Sequence, residues 1–145
     1  MSTLALYLAV TLLLLPSRSA LDIDFKVSAL PEIQKSATAD NAEAQYQMGI
    51  CYDQGYGVRK DFAQAVKWYT RAAEQGHADA QCALGLCHAN GKGVSSDLVK
   101  AYMWLSLSAA GNVQVGAEHC KRLEKKMNAS QVTEAKQLVK AFVPK

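Results

Sequence analysis

Proline is scarce in this sequence, with three residues among 145. Alanine is frequent, and it loses no side-chain entropy when it enters a helix. Half of the residues are apolar and 20% are charged, a balance that excludes a disordered chain and is ordinary for a globular one. The composition therefore predicts one helical domain.

The sequence also lacks the residue patterns that carry most enzyme and metal chemistry. It contains no Cys-x-x-Cys pair for zinc, and its Gly-x-Gly pairs follow no predicted strand, so they indicate turns rather than phosphate loops. His119 and Cys120 are adjacent, and adjacent residues of a helix do not face each other. We therefore predict no catalytic residue, no cofactor and no metal site.

Cysteine is also uncommon, with four residues at positions 51, 82, 87 and 120. We predict that they are buried thiols acting as small apolar groups. A disulfide between Cys51 and Cys82 is the alternative, because an exported protein can form such bonds.

Positive charge is concentrated near the end of the chain. From Glu118 to Lys145 there are seven lysines and arginines against three glutamates, a net charge of +4. This pattern is typical of a solvated helix face, and the alternative is a patch for an acidic partner, a lipid headgroup or a nucleic acid. No aromatic residue lies among the bases of Lys121–Lys126, so we predict no nucleic-acid partner.

The first residues have the layout of a targeting signal. An apolar run covers Leu4 to Leu15, Pro16 ends it, and the small residues of Ser17–Ala20 follow. The run is shorter than the about 20 residues that span a bilayer. We predict a signal peptide over 1–19, cleavage after Ser19 and a periplasmic or secreted protein. The alternatives are an uncleaved membrane anchor, which would be the only membrane contact, or a misassigned start.

An internal repeat with a period of 36 residues is the strongest signal in the chain. Shifting the sequence by that distance places many residues on identical ones, which chance does not produce in so short a chain. The matched pairs are Gly49/Gly85, Cys51/Cys87, Gly55/Gly91, Gly57/Gly93, Val58/Val94, Asp61/Asp97, Ala65/Ala101, Trp68/Trp104 and Ala73/Ala109.

Each unit is predicted to be a helix, a glycine turn and a second helix. In the second helix of the first unit, apolar residues recur at the three- and four-residue spacing of a helix face. Asp61 and Asp97 are predicted N-caps, and Gly49 and Gly85 are predicted to allow close helix approach. We assign 40–75 to the first unit, 76–111 to the second, 20–39 to a segment with a short helix that opens at Pro31, and 112–145 to closing helices.

The matching residues resemble the Sel-1-like repeat over two full units. The resemblance rests on Met48-Gly49-Ile50-Cys51-Tyr52 with Gly55, Gly57, Val58, Asp61, Ala65 and Trp68, and on their counterparts from Leu84 to Trp104. It implies an all-α solenoid similar to tetratricopeptide proteins, a right-handed superhelix that binds proteins or peptides. It also implies that exported bacterial members act in the envelope or at the host interface.

We therefore expect a monomeric scaffold that binds a protein or peptide on the face lined by the first helices. The candidate partner-binding residues are Tyr46, Gln47, Tyr52, Gln81 and His88, and we place His88 on the solvent side. One alternative is a cell-wall or β-lactam hydrolase of a cysteine-rich branch that the family resemblance suggests, although this chain lacks that branch's paired cysteines. Another is a non-catalytic modulator of an envelope enzyme.

Overall fold

The computed structural model describes the backbone of residues 18–145 and the side chains of residues 27–145. Across these residues the chain forms seven α-helices and no strand, which confirms the all-α prediction. The predicted signal peptide lies almost entirely in residues 1–17, outside the described residues. The helices are α1 (Arg18–Thr38), α2 (Ala42–Gln54), α3 (Phe62–Glu74), α4 (Ala78–Asn90), α5 (Leu98–Ala110), α6 (Gln114–Glu124) and α7 (Ala129–Ala141).

The first helix is longer than the sequence predicted. We expected a short helix opening at Pro31, and this was wrong: α1 begins at Arg18 and carries Pro31 in its interior. Proline favours the first turn of a helix, but inside a helix it removes only one backbone hydrogen bond and causes a local kink. The remaining bonds of this 21-residue helix continue on both sides of the proline.

The same turn joins α1 to α2, α3 to α4, and α5 to α6. Asp40, Gly76 and Asn112, each 36 residues from the next, all have positive φ, at 62°, 90° and 67°. The next residue in each turn donates its backbone N–H to a carbonyl five residues earlier, at 3.1 to 3.2 Å. The identical geometry places α1 as the second helix of a preceding unit and α6 as the first helix of a following one.

Inside each full unit, glycine and aspartate define the turn between the two helices. Gly55 and Gly91 close the first helices in the left-handed conformation, which glycine adopts without strain. Asp61 and Asp97 accept hydrogen bonds from backbone N–H groups at the start of the second helices. Both predicted N-caps are therefore confirmed.

Glycine also allows the two helices of each unit to pack closely. A Cβ atom at Gly49 would overlap the Tyr69 ring, and one at Gly85 would lie 2.6 Å from Leu105 Cγ. Atoms at such separations clash, so the interior glycines that weaken a helix are required by its partner. The predicted close approach is confirmed.

The core lies between successive units. Trp104 is buried among apolar residues of α3 and α4, and Trp68, one repeat earlier, packs partly buried against a smaller cluster of Ala37, Ala44 and Met48 from α1 and α2. Each tryptophan thus contacts the unit before its own. No unit covers its own apolar face alone, as is typical of a solenoid.

The end of the chain departs from the repeat. The α6 helix buries Gly116, Cys120 and Leu123, whereas Lys121 is exposed at the position of Gly85. The α7 helix packs against α5 rather than completing a unit with α6. Asn128 and Gln131 form the predicted capping box at the start of α7. Among the described helices, none has the length and apolar character needed to cross a membrane.

Candidate protein-binding surface

The first helices α2, α4 and α6 occupy equivalent positions and present matching rows of side chains. One row contains Gln47, Ala83 and His119, all partly exposed. The next contains Ile50 and Leu86, also partly exposed. Ile50, Ala83 and Leu86 each pack on the core from one side, so the centre of this surface is uncharged and held firmly. We call these five residues the first-helix surface, and the exposed Arg122, which follows Leu86 at the same spacing, borders it.

Opposite charges flank the first-helix surface. Glu43 and Asp79 are exposed in the first turns of α2 and α4, where negative charge also favours the helix dipole. Lys121, Arg122 and Lys125 are exposed on and just after α6. Within the described residues these three basic side chains make no ion pair. Glu118 and Glu124 are also exposed on α6, so this end has a small excess of positive charge, and the surface changes from acidic through uncharged to weakly basic.

A small network fixes the acidic end of this surface. His77 caps α4 by accepting a hydrogen bond from Ala80 N at its Nδ1 atom, so its Nε2 donates to Glu43 Oε2 at 2.7 Å. This hydrogen bond lowers the pKa of Glu43, and burial opposes the shift. The Tyr46 ring packs 4.9 Å from the His77 ring and 5.9 Å from the Tyr69 ring. Burial, with the charge of Asp79 second, raises the pKa of Tyr46, so its phenol stays neutral.

Tyr46, Gln47 and Tyr52 remain partly exposed, as partner-binding residues require. Gln47 donates its side-chain amide to Glu43 at 3.0 Å and lies within the first-helix surface. Tyr52 packs against the α1–α2 cluster and lines a separate depression of about 590 Å³ at the turn between α2 and α3. The structure therefore places Tyr46 and Gln47 together and Tyr52 elsewhere.

Gln81 is not on the surface. Its side chain is 3% exposed and donates to the backbone carbonyl of Ala73 at 3.1 Å. Gln45 is one repeat earlier and makes the same bond, to Ala37 O at 3.2 Å. Each glutamine thus ties a first helix to the end of the preceding second helix, where carbonyl groups lack helical partners. A partner-binding role for Gln81 does not fit this position.

The prediction that His88 faces solvent was wrong. The residue is 8% exposed, and the turn before α5 covers it. Burial lowers the pKa of His88, the positive charge of Lys100 lowers it further, and Asp97 and the backbone of Ser95 act in the opposite direction. Among the described residues its Nδ1 atom has no hydrogen-bond partner.

The four cysteines are all buried in the core, as predicted, and the alternative disulfide between Cys51 and Cys82 is not formed. Burial raises the pKa of Cys87 to about 11 and also raises the pKa of Cys82 and Cys120. Such thiols are poor nucleophiles because the thiolate is the reactive form. In residues 27–145, no group of three or more His, Cys, Asp or Glu side chains is placed to hold a metal ion.

The Sel1 repeat family model matches this chain twice, over residues 42–77 and 78–113. This chain is a Sel1-repeat protein. The two matches reproduce the 36-residue period, with boundaries two residues later than the sequence analysis placed them. Proteins of the Sel1 repeat family are generally protein-interaction scaffolds, so protein binding is the function that the repeats support.

Two solved Sel1-repeat structures are similar to this chain. One is c5321, described as a protective antigen present in uropathogenic Escherichia coli strains, with a TM-score of 0.77 and 34% identity over 80% of this chain. The other is a Sel1 repeat protein from Oxalobacter formigenes, with a TM-score of 0.65 and 36% identity over 67% of this chain. This chain covers 25% and 28% of their lengths.

A curated relative is similar over a shorter stretch. Chitin synthase regulatory factor 3 of Schizosaccharomyces pombe is 46% identical over 48 residues, which are 33% of this chain and 5% of the yeast protein.

Sequence reasoning missed Ile50, Ala83 and Leu86 as surface residues of the Sel1 repeats. The same 36-residue shift that revealed the repeat would have paired Ile50 with Leu86 and Gln47 with Ala83.

Proposed function

We propose that this Sel1-repeat protein is an exported scaffold that binds a protein partner across its first-helix surface. The observation that carries the proposal is the pair of matching rows on α2, α4 and α6, in which uncharged, partly exposed side chains lie between an acidic and a basic end. A central apolar strip with charges at its rim is typical of a protein interface. The charge gradient would orient the partner.

The proposed setting is the bacterial envelope or the host interface. The apolar run Leu4–Leu15 supports export, since it has the length and flanks of a signal peptide. The similar Escherichia coli protein is described as a protective antigen, which also supports this setting. If the signal is cleaved after Ser19, N-terminal sequencing of protein recovered from the periplasm will begin at Ala20. An intact Met1 in that fraction would contradict cleavage.

The binding proposal is tested by placing charge in the centre of the first-helix surface. A double variant, Gln47→Glu with Ala83→Glu, puts two carboxylates in one row of partly exposed positions, and circular dichroism checks that it keeps the helical fold. We expect natural protein to capture a specific partner from an envelope extract, identified by mass, and the double variant to lose it. Lys67→Glu with Gln64→Glu on α3 is the matched control and should retain the partner. Equal capture by all three proteins would remove the first-helix surface as the site.

A second candidate is a non-catalytic modulator of an envelope enzyme. The name of the similar yeast protein, a chitin synthase regulatory factor, supports this possibility, although the likeness covers only a third of this chain. Co-elution of the captured partner's enzymatic activity with the protein would favour the modulator. The hydrolase alternative gains no support, because the thiols lie in the core and burial raises the pKa of three of them.

A further inference from the structure

The segment after α7 folds back across the repeats in an extended form. The Phe142 ring meets the Trp104 ring edge to face, with the ring centroids 5.5 Å apart. Pro144 lies against Gly76 in the turn between α3 and α4, at a distance where an added Cβ would touch it at 3.5 Å. Lys145 donates its backbone N–H to Glu74 O at 2.9 Å and its side-chain ammonium to Glu74 Oε2 at 2.7 Å. The segment Phe142–Lys145 thus contacts the Sel1 repeats at three places, one about one unit earlier in the chain, at Trp104, and two about two units earlier, at Gly76 and Glu74.

These contacts have the form of peptide recognition. Phe142 enters the apolar cluster around Trp104, while Val143 between the anchors is 79% exposed and contributes little. Glu74 is the last residue of α3, and a cation near a helix C-terminus is favoured by the helix dipole. The site therefore selects an aromatic residue, then any residue, then proline, then a basic residue.

The contacts of Lys145 are weak enough to exchange. Its side chain is 72% exposed and that of Glu74 is 36% exposed, and ion pairs in this environment contribute little because water and salt screen them. Lys145 and Glu74 also line a polar depression of about 440 Å³, which Thr38, Asp40, Gln45 and Arg71 line on its other sides. A longer peptide bound in the same direction would continue into this depression.

We propose that the surface formed by Trp104, Gly76 and Glu74 is a second peptide-binding site, which the chain's own segment Phe142–Lys145 occupies until a partner displaces it. The partner carries an exposed aromatic–x–Pro–basic segment. This site lies on the second helices and the turn between units, so it is separate from the first-helix surface and does not depend on it. While this segment occupies the site, the partner cannot bind there, so the protein is autoinhibited.

The test uses full-length protein and a fluorescein-labelled peptide with the sequence of residues 137–145. The double variant Phe142→Ala with Lys145→Ala should free the site and bind the peptide about tenfold or more tightly than natural protein, because affinity falls with the fraction of open sites. The same peptide with its phenylalanine replaced by alanine should not bind. Fluorescence anisotropy measures all three affinities.

A milder variant keeps the proposal testable if the double variant does not fold. Lys145→Glu changes an exposed side chain and places a carboxylate against Glu74, so it should weaken the hold on the segment and raise the peptide affinity by less than the double variant does, without replacing a residue of the core. The Gln64→Glu with Lys67→Glu variant, at solvent-accessible positions on α3, should bind the peptide like natural protein. Two results would overturn the proposal: folded Lys145→Glu protein with no gain in peptide affinity, or equal binding of the alanine peptide.

Discussion

At the scale of single residues, glutamine at positions 45 and 81 joins neighbouring units. Each is buried and donates to a carbonyl near the end of the preceding second helix, at 3.2 Å from Gln45 to Ala37 and 3.1 Å from Gln81 to Ala73. Gln45 also accepts a hydrogen bond from Gln75 at 2.7 Å. The next equivalent position, Ala117, is exposed and has no amide to donate, so this link ends where the repeats end.

Replacing Gln81 tests this link. We expect Gln81→Ala to lower the free energy of unfolding by about 1–3 kcal/mol, because it removes the buried hydrogen bond to Ala73 O, which then keeps the backbone bond from Gly76 N, and also creates a small cavity. Urea denaturation followed by circular dichroism measures the change. Gln47→Ala, two residues after Gln45 and partly exposed, is the control and should change the free energy by less than about 0.5 kcal/mol. Similar losses for the two variants would contradict a special role for Gln81.

His88 predicts a pH dependence of stability. Its pKa in the folded protein is lowered from the usual 6.5, chiefly by burial, while the unfolded chain retains the ordinary value. The unfolded state therefore binds the proton first, and stability is lost as the pH falls from above 6.5 towards the lower folded pKa. The charged groups that act on the ring are Asp97, in the turn, and Lys100, on α5.

The His88→Gln variant isolates this effect. It should flatten the decline in the unfolding midpoint between about pH 7 and pH 5, whereas His119→Gln, at a partly exposed position on α6, should keep the decline. Thermal unfolding at a series of pH values is the measurement. Glu43 acts in a separate, more acidic window, because its pKa is lowered and its contribution to stability is lost only as the pH falls below the ordinary glutamate value of 4.5. An unchanged slope in His88→Gln would rule out His88 as the cause.

The sequence could not identify Gln81 and His88 as buried, for a physical reason. A first helix in a solenoid is covered on one side by its own second helix and on another by the preceding unit. In α4, apolar residues therefore occur around most of the circumference, as Ala83, Leu84, Leu86 and Cys87 show. Periodicity then indicates no clear solvent side, and only the tertiary structure separates surface from core.

At the scale of helices, local signals were sufficient for most boundaries. The aspartate caps of α3 and α5, the glycine ends of α2 and α4, and the capping box of α7 all involve residues within a few positions of one another. Such short-range interactions can be predicted from the sequence alone. From the sequence, we placed the start of α1 at Pro31 instead of Arg18. The proline costs the helix a backbone hydrogen bond, and the rest of the 21-residue helix outweighs that loss.

The position of α7 was beyond local prediction. Its sequence indicates a capped helix, but its own residues do not indicate that it packs on α5 instead of pairing with α6. Ala135 is its one fully buried residue, and it joins the cluster of Tyr102, Leu105 and Leu123. The return of Phe142 to Trp104 follows from this placement, because the end of α7 lies beside α5. The further peptide site is therefore a product of tertiary packing.

At the scale of the whole molecule, the repeats explain both the fold and where it stops. Each internal unit is covered by its neighbours, so an end must either be covered or be made polar. In α6, the side that a full unit would cover with its second helix contains Ala117, Lys121 and Glu124, all exposed. Glu124 also accepts a hydrogen bond from Tyr102 at 2.7 Å. Charge on this side opposes the stacking of another helix.

Removing that charge should allow the open side of α6 to associate. We expect the double variant Lys121→Leu with Lys125→Leu to form larger species than natural protein does across the same concentration series, because the variant exposes an apolar strip at the place where a second helix belongs. Lys136→Leu with Lys140→Leu on α7 removes the same charge and adds the same apolar groups, but at positions outside any stacking side. Its sedimentation should match that of natural protein. If both double variants associate equally, apolar surface alone drives the effect, and the charges of α6 do not end the solenoid.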